Sequence, residues 1–167
     1  LMNTSPPRVK SKLPPQKYID MVYVLDRSGS MYTMGGSHKV QLLNFLGNQK
    51  EAGIMSNNSI QLSIITFDHK AEICIDDINS TQLDLPDNDT IHNWCEPRDI
   101  TRLYDTVIEA VNNQKLRIQK RKLAMPKMLR ELDPVFERCI YVLTDGVDNA
   151  SYKTSQDMKD LLEKERK

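Results

Sequence analysis

The sequence predicts an open α/β fold: a doubly wound, Rossmann-like and mostly parallel sheet with helices on both faces and one antiparallel edge strand. Three observations carry this expectation. Short apolar runs rich in Val, Ile and Tyr, at 18–25 and 135–143, read as strands buried on both sides. Stretches with apolar residues at helical spacing stand between them. Strands that alternate with helices build parallel sheets, whereas the two runs flanking Asp68-His69-Lys70 are close enough only for a hairpin.

Length and composition set the outer limits. A chain of 167 residues suits one domain that buries about two-thirds of the surface its unfolded form exposes. Lys plus Arg and Asp plus Glu both number 23, so the formal charge is zero and neither a nucleic-acid groove nor an anionic membrane is indicated as a partner. Cys74, Cys95 and Cys139 are odd in number and lack close ligand spacing, which argues against a disulfide framework and a zinc site. No secretory signal is visible, so the reading is cytoplasmic, with Asn-x-Ser/Thr sequons such as Asn79-Ser80-Thr81 leaving an extracellular setting open.

Residues 1–17 hold Pro6, Pro7, Pro14 and Pro15 among basic and polar neighbours, the composition of an extended leader, and the domain is expected over 18–167. Ile19, Met21, Val22, Val24 and Leu25 form the first strand, which ends at Asp26. Beyond it Ser28 and Ser30 place hydroxyls at alternate positions of a tight loop, with Gly29 expected to allow the bend. A flexible stretch over 32–36 leads to Ser37, which can cap a helix running to about Ser56, its apolar face made of Leu42, Leu43, Phe45, Leu46 and Ile54. The run GGSHK lacks the Gly-x-x-x-x-Gly-Lys-Ser/Thr pattern, which removes nucleotide binding.

Alternation of Ile60, Leu62 and Ile64 marks a second strand over 59–67, and 71–75 returns as a third, antiparallel one. The segment 76–99 reads as a long surface loop with one short helix, anchored by Trp94. Tyr104, Val107, Ile108 and Val111 stand at i, i+3, i+4 and i+7 of the next helix, and the basic segment 112–122 reads as its solvated continuation. After a break at Pro126, a second helical face is expected from Met125, Met128, Leu129 and Leu132. The fourth strand, 135–143, is expected to be buried, and Thr154-x-x-Asp157 resembles a capping box opening a helix with Met158, Leu161 and Leu162.

The chemistry concentrates at the first loop. A carboxylate and two hydroxyls are hard oxygens that favour Mg, Mn or Ca over zinc or copper. Hydroxyls are neutral, so Asp26, Ser28 and Ser30 offset only part of a divalent charge, and further ligands must come from elsewhere. Each piece alone has a plainer reading: a turn capping its own backbone N–H groups, Thr101 as a helix N-cap, Asp145-Gly146 as a turn.

Taken together, they resemble a known family. The stretch DRSGSM after an apolar strand is similar to the Asp-x-Ser-x-Ser opening of the metal-ion-dependent adhesion site in von Willebrand factor type A domains. Thr101 in EPRDITRLYD and Asp145 in YVLTDGVDN resemble that family's Thr-x-Leu-Tyr-Asp and its strand followed by Thr-Asp-Gly, in the same chain order. The resemblance implies a Mg, Mn or Ca site held by Asp26, Ser28, Ser30, Thr101 and Asp145, with the hydroxyls as ligands and the carboxylates acting partly through water. It implies a coordination position left for an Asp or Glu of a partner protein, and a rim of loops in which Trp94, Arg98 and Asp99 are candidate contacts. It also implies a sheet order of third, second, first and fourth strand. The family continues with two more strands and a helix, so this chain reads as truncated after its fourth strand and the following helix, with the fourth strand as an exposed edge.

Two other readings stand beside this non-enzymatic one. Asp26 and Asp145 can be set to hold Mg for phosphoryl transfer or hydrolysis. That chemistry needs a positioned base, yet the residue two beyond Asp26 is Ser28, and His38, His69 and His92 have no recognisable spacing to a nucleophile. The second is a scaffold domain that does not use its metal.

Overall fold

The first strand, β1 (Lys17–Asp26), is the axis around which the rest is arranged. The structure is a computed structural model that describes residues 15, 17–98, 100–146 and 148–165. The Pro-rich leader, apart from residues 15 and 17, lies outside the described residues, as does Asp99; Lys17, assigned to the leader by composition, opens β1. Beside β1 run β2 (Ser59–Phe67) and β4 (Val135–Leu143), both parallel to it, and β3 (Ala71–Asn79) pairs antiparallel with β2. The order is β3-β2-β1-β4, so the expected α/β class, with one antiparallel edge strand on a parallel sheet, is observed.

Alternation along β1 divides the core between two faces. Met21, Tyr23 and Leu25 pack with Leu42 and Leu46 of α1 (Ser37–Met55) and with Ile91 and Cys95 of α2 (Asn88–Cys95). Val22 and Val24 join Ile65, Phe67 and Ala110 of α3 (Leu103–Ala124) on the other face. The short α4 (Lys127–Arg130) follows α3, and α5 (Ser155–Glu165) lies against α3. Val22, Val24 and Leu25 are fully buried, and each contributes about 1.5–3 kcal/mol relative to an exposed position.

Several local expectations change. The stretch after Ser28 is a 3-10 helix, Gly29–Met34, and not a flexible segment; fully buried Met31 plugs it into the core. Gly29 keeps an ordinary φ, whereas Gly35 and Gly36, at φ 55° and 83°, make the turn into α1. Gly36 rather than Ser37 is the N-cap of α1, and Ile54 of its expected apolar face is 62% exposed. β3 runs to Asn79 and not to 75, because Asp76 and Asp77 together oppose Ser63 in a bulge, with Asp77 at φ 52° and its N–H bonded to Ser63 Oγ at 3.0 Å. Met128 and Leu132 are exposed, so α4 has no packed face from them, while Met125 is buried.

β4 is the larger correction. It spans the residues expected of it and lies at the sheet edge, as the resemblance implied, but Val135, Tyr141 and Val142 are exposed rather than buried as the apolar run suggested. Nor is the basic continuation of α3 simply a solvated face. Arg117 and Arg121 reach buried Asp20 of β1 at 2.9 and 2.6 Å, and Lys115 pairs with Glu165 of α5 at 2.8 Å. Asp20 shares the face of Val22 and Val24, and two guanidiniums offset the cost of burying its charge.

Candidate metal centre

The site follows from register. Leu25 of β1 is level with Leu143 of β4, so the next residues, Asp26 and Thr144, are level too and present their side chains on one face. Thr144 Oγ1 accordingly donates to Asp26 Oδ2 at 2.5 Å. Asp26 Oδ1 accepts the N–H of Ser28 at 2.7 Å, which closes the first loop onto its own carboxylate. Asp26 is fully buried, and both of its oxygens are held by the chain.

From there the oxygens run outward. Ser28 Oγ and Ser30 Oγ are 3.0 Å apart, and Ser30 Oγ donates to Asp145 Oδ1 at 2.8 Å. Ser28 is buried, whereas Ser30 and Asp145 are exposed, so the chain of oxygens leads from the sheet edge to solvent. Gly146 marks the point of convergence. A Cβ added there would lie 3.3 Å from Ser30 Oγ, 3.7 Å from Asp26 Oδ2 and 3.9 Å from Ser28 Oγ. Three oxygens from three residues thus face one small volume that a side chain at 146 would enter.

This donor set fits a hard divalent cation: carboxylate and hydroxyl oxygens around a common space. Among the described residues no group of three or more His, Cys, Asp or Glu side chains is arranged to hold a metal ion, so this candidate centre relies on hydroxyl oxygens beside its carboxylates.

Of the five expected ligands, Asp26, Ser28, Ser30 and Asp145 form one continuous cluster. Thr101 is buried just before α3, with its N–H bonded to Asn149 Oδ1 at 2.9 Å rather than to any of those four. It is not the N-cap of α3, a position held by Arg102. Of the rim candidates, Trp94 is half-buried against the core, which fits the anchoring role. Arg98 donates its N–H to Arg27 O at 2.6 Å beside the first loop, and Asp99 lies outside the described residues.

Residues that the sequence reading passed over hold the site together. Asp26 pairs with Phe67 across β1 and β2, so Arg27 falls level with Asp68, and the two meet at 2.9 Å with both side chains buried. The guanidinium also lies 2.9 Å from Glu72 Oε2, though its N–H groups are not aligned for good hydrogen bonds, so the attraction is one of charge. His69, expected to be merely exposed, places Nδ1 2.7 Å from Asp68 Oδ1. Lys70 and Arg27 together hold the Glu72 carboxyl below the usual carboxylate range. On the opposite side, Thr144, Asp148 and Asn149 belong to the loop after β4. A run of Asx and Ser residues following a strand is the one signal that points to them, since such side chains accept backbone N–H groups in turns.

No protein-family profile and no curated protein matches this chain. Solved structures do match in fold. Proximal thread matrix protein 1 from the mussel byssus aligns with a TM-score of 0.54 and 18% identity over 92% of this chain and 35% of its own. A second crystal structure of that protein gives 0.50 and 19% over 89% and 34%. The N-terminal domains of the type V pili tip protein Mfa5 from Porphyromonas gingivalis align with a TM-score of 0.54 and 16% identity over 84% of this chain and 23% of that one. The chain therefore spans about a third or less of the solved chains it matches, and at these identities the likeness concerns the fold alone. Among the described residues no helix is long and apolar enough to cross a membrane.

Proposed function

We propose that the chain is a divalent-metal-dependent protein-binding module of the von Willebrand factor type A kind, with Mg, or Mn or Ca in its place, held by Asp26, Ser28, Ser30, Thr101 and Asp145. The observation that carries this reading is the convergence of Asp26, Ser28 and Ser30 oxygens beside Gly146, with Asp145 bonded to Ser30. Ser28, Ser30 and Thr101 are the hydroxyl ligands. Asp26, whose oxygens already accept Ser28 N–H and the Thr144 hydroxyl, is oriented to act through water, and exposed Asp145 stands at the open side.

A divalent cation in this setting supplies a positive point charge that an Asp or Glu carboxylate of a partner protein can ligate. The chain's part is to supply neutral hydroxyls and keep its two carboxylates at the periphery, so that the positive charge is only partly offset. Binding rather than catalysis is the assignment, with no catalytic residue named.

The test is thermal unfolding with Mg, Mn and Ca, comparing the unmodified chain with Asp26→Ala and with Asp145→Ala, the latter at an exposed position. A ligand at about a hundred times its dissociation constant adds roughly 2.7 kcal/mol to the folded state. Saturable stabilisation of the unmodified chain, reduced in both variants, is expected. An unmodified chain that does not respond to any of the three ions removes the basis for the reading and leaves a scaffold domain.

A further inference from the structure

We infer that Asn149, with Asp148 beside it, is a positioning residue that sets Thr101 at the metal centre, an inference that rests on the metal-binding reading above. Thr101 is held through its main chain by two consecutive residues of the loop after β4. Its N–H donates to Asn149 Oδ1 at 2.9 Å, and its carbonyl accepts the N–H of Asn149 at 3.2 Å and of Ala150 at 3.0 Å.

The same loop closes the start of α3. Arg102, the N-cap, makes no side-chain capping bond, which leaves the first N–H groups of the helix in need of acceptors. Asp148 Oδ2 accepts the N–H of Tyr104 at 2.8 Å, and Ser151 Oγ accepts that of Asp105 at 3.1 Å. Asp148 is itself fixed by Ser151 Oγ at 2.5 Å and by the N–H groups of Ser151 and Ala150 at 2.9 and 3.1 Å. Burial alone would raise the Asp148 carboxyl, but these hydrogen bonds and that of Tyr104 outweigh it and hold the group below the usual carboxylate range. In return, Asp105 of α3 accepts the N–H groups of Tyr152 and Lys153 at 3.0 and 2.8 Å.

The consequence lies in where this loop begins. Thr144 bonds Asp26, Asp145 bonds Ser30 and Asn149 bonds Thr101, so the loop after β4 contacts both of the other segments that carry proposed ligands. Thr101 and Asp145 are far apart in sequence, and the clasp through Asn149 and Asp148 is what makes their separation a fixed quantity. Metal sites need ligand positions held to about 0.5 Å by supporting hydrogen bonds, and loss of such an outer partner typically costs about 10–100-fold in metal affinity.

A double-mutant cycle on Mn binding to the full chain, followed by electron paramagnetic resonance, tests this. Asn149→Ala is expected to weaken Mn binding about ten-fold while the far-ultraviolet circular dichroism stays that of the folded chain. In a Thr101→Ala background the same substitution is expected to change affinity by less than about two-fold, because its effect passes through Thr101. Should Asn149→Ala fail to fold, Asp148→Asn takes its place, keeping one acceptor oxygen while weakening the hold on Tyr104 N–H; it is expected to be weaker in Mn binding in the same Thr101-dependent way. Unchanged affinity in the variant, or effects that simply multiply in the double variant, overturn the positioning role and leave the metal reading standing. Absence of Mn binding by the unmodified chain overturns both.

Discussion

A methyl group at position 146 would stand 3.3 Å from Ser30 Oγ and within 4 Å of two further oxygens, so the proposed centre depends on a residue with no side chain. Gly146→Ala is therefore expected to lower Mn affinity about ten-fold, as loss of a supporting contact does. Because the methyl points into the ligand space rather than the core, the free energy of unfolding without metal should change by less than about 1 kcal/mol. Calorimetric titration with Mn and urea unfolding of the same variant check the two halves. At this scale the sequence was informative where the proposed ligands are neighbours. Asp26, Ser28 and Ser30 were legible because a short loop keeps alternate residues close. The grip of Thr144 on Asp26 was not, because it depends on which residue of β4 lies level with the end of β1.

At the scale of elements, one carboxylate ties α5 to two neighbours. Glu165 accepts from Lys115 at 2.8 Å and Arg138 at 2.6 Å, joining α5 to α3 and β4, and these two cations pull its carboxyl from 4.5 down to about 2. A carboxyl with a folded-state pKa below its unfolded value contributes stability that is complete above the unfolded value and is lost as pH falls through the folded one. Amide-exchange protection in α5, corrected for intrinsic rates, is thus expected to hold steady from pH 7 to about 5 and to fall between 4.5 and about 2. In Glu165→Gln that pH dependence should shrink to what the capping-box carboxylate of Asp157 contributes; if it persists unchanged, another group docks the helix. The existence of α5 was readable from its capping box, in which Thr154 N–H donates to Asp157 Oδ2 at 2.8 Å and Asp157 N–H to Thr154 Oγ1 at 3.1 Å. Its docking was not, since Lys115 and Glu165 belong to different periodic segments.

At the scale of the whole molecule, parallel register does two things at the carboxyl end of β1. It sets Asp26 level with Thr144 on one side and Arg27 level with Asp68 on the other, so a single strand end is tied to both neighbours. The Arg27–Asp68 pair is buried, and removing Asp68 leaves the buried guanidinium with the part-exposed Glu72 carboxylate in place of a buried one. Asp68→Ala is expected to cost about 3–5 kcal/mol in urea unfolding. Replacing both, as Arg27→Met with Asp68→Leu, should cost much less, because no lone charge remains buried. A double variant as unstable as the single one would show that packing rather than charge holds the hairpin to the first loop.

What the sequence determined by itself was local or periodic: the strands and helices, and an α/β class that follows from their alternation. Periodicity is a property of neighbours, so a single chain read in order contains it. Side-by-side strand order came from the family resemblance, and the four-stranded arrangement agrees with it. Tertiary structure decided the rest. It exposed Tyr141 and Val142 of β4, turned Arg117 and Arg121 from a solvated face into partners of Asp20, and joined Thr101 to Asn149. Each of these is a pairing between residues distant along the chain, set by strand register and helix docking, and register is fixed only when the whole sheet has formed.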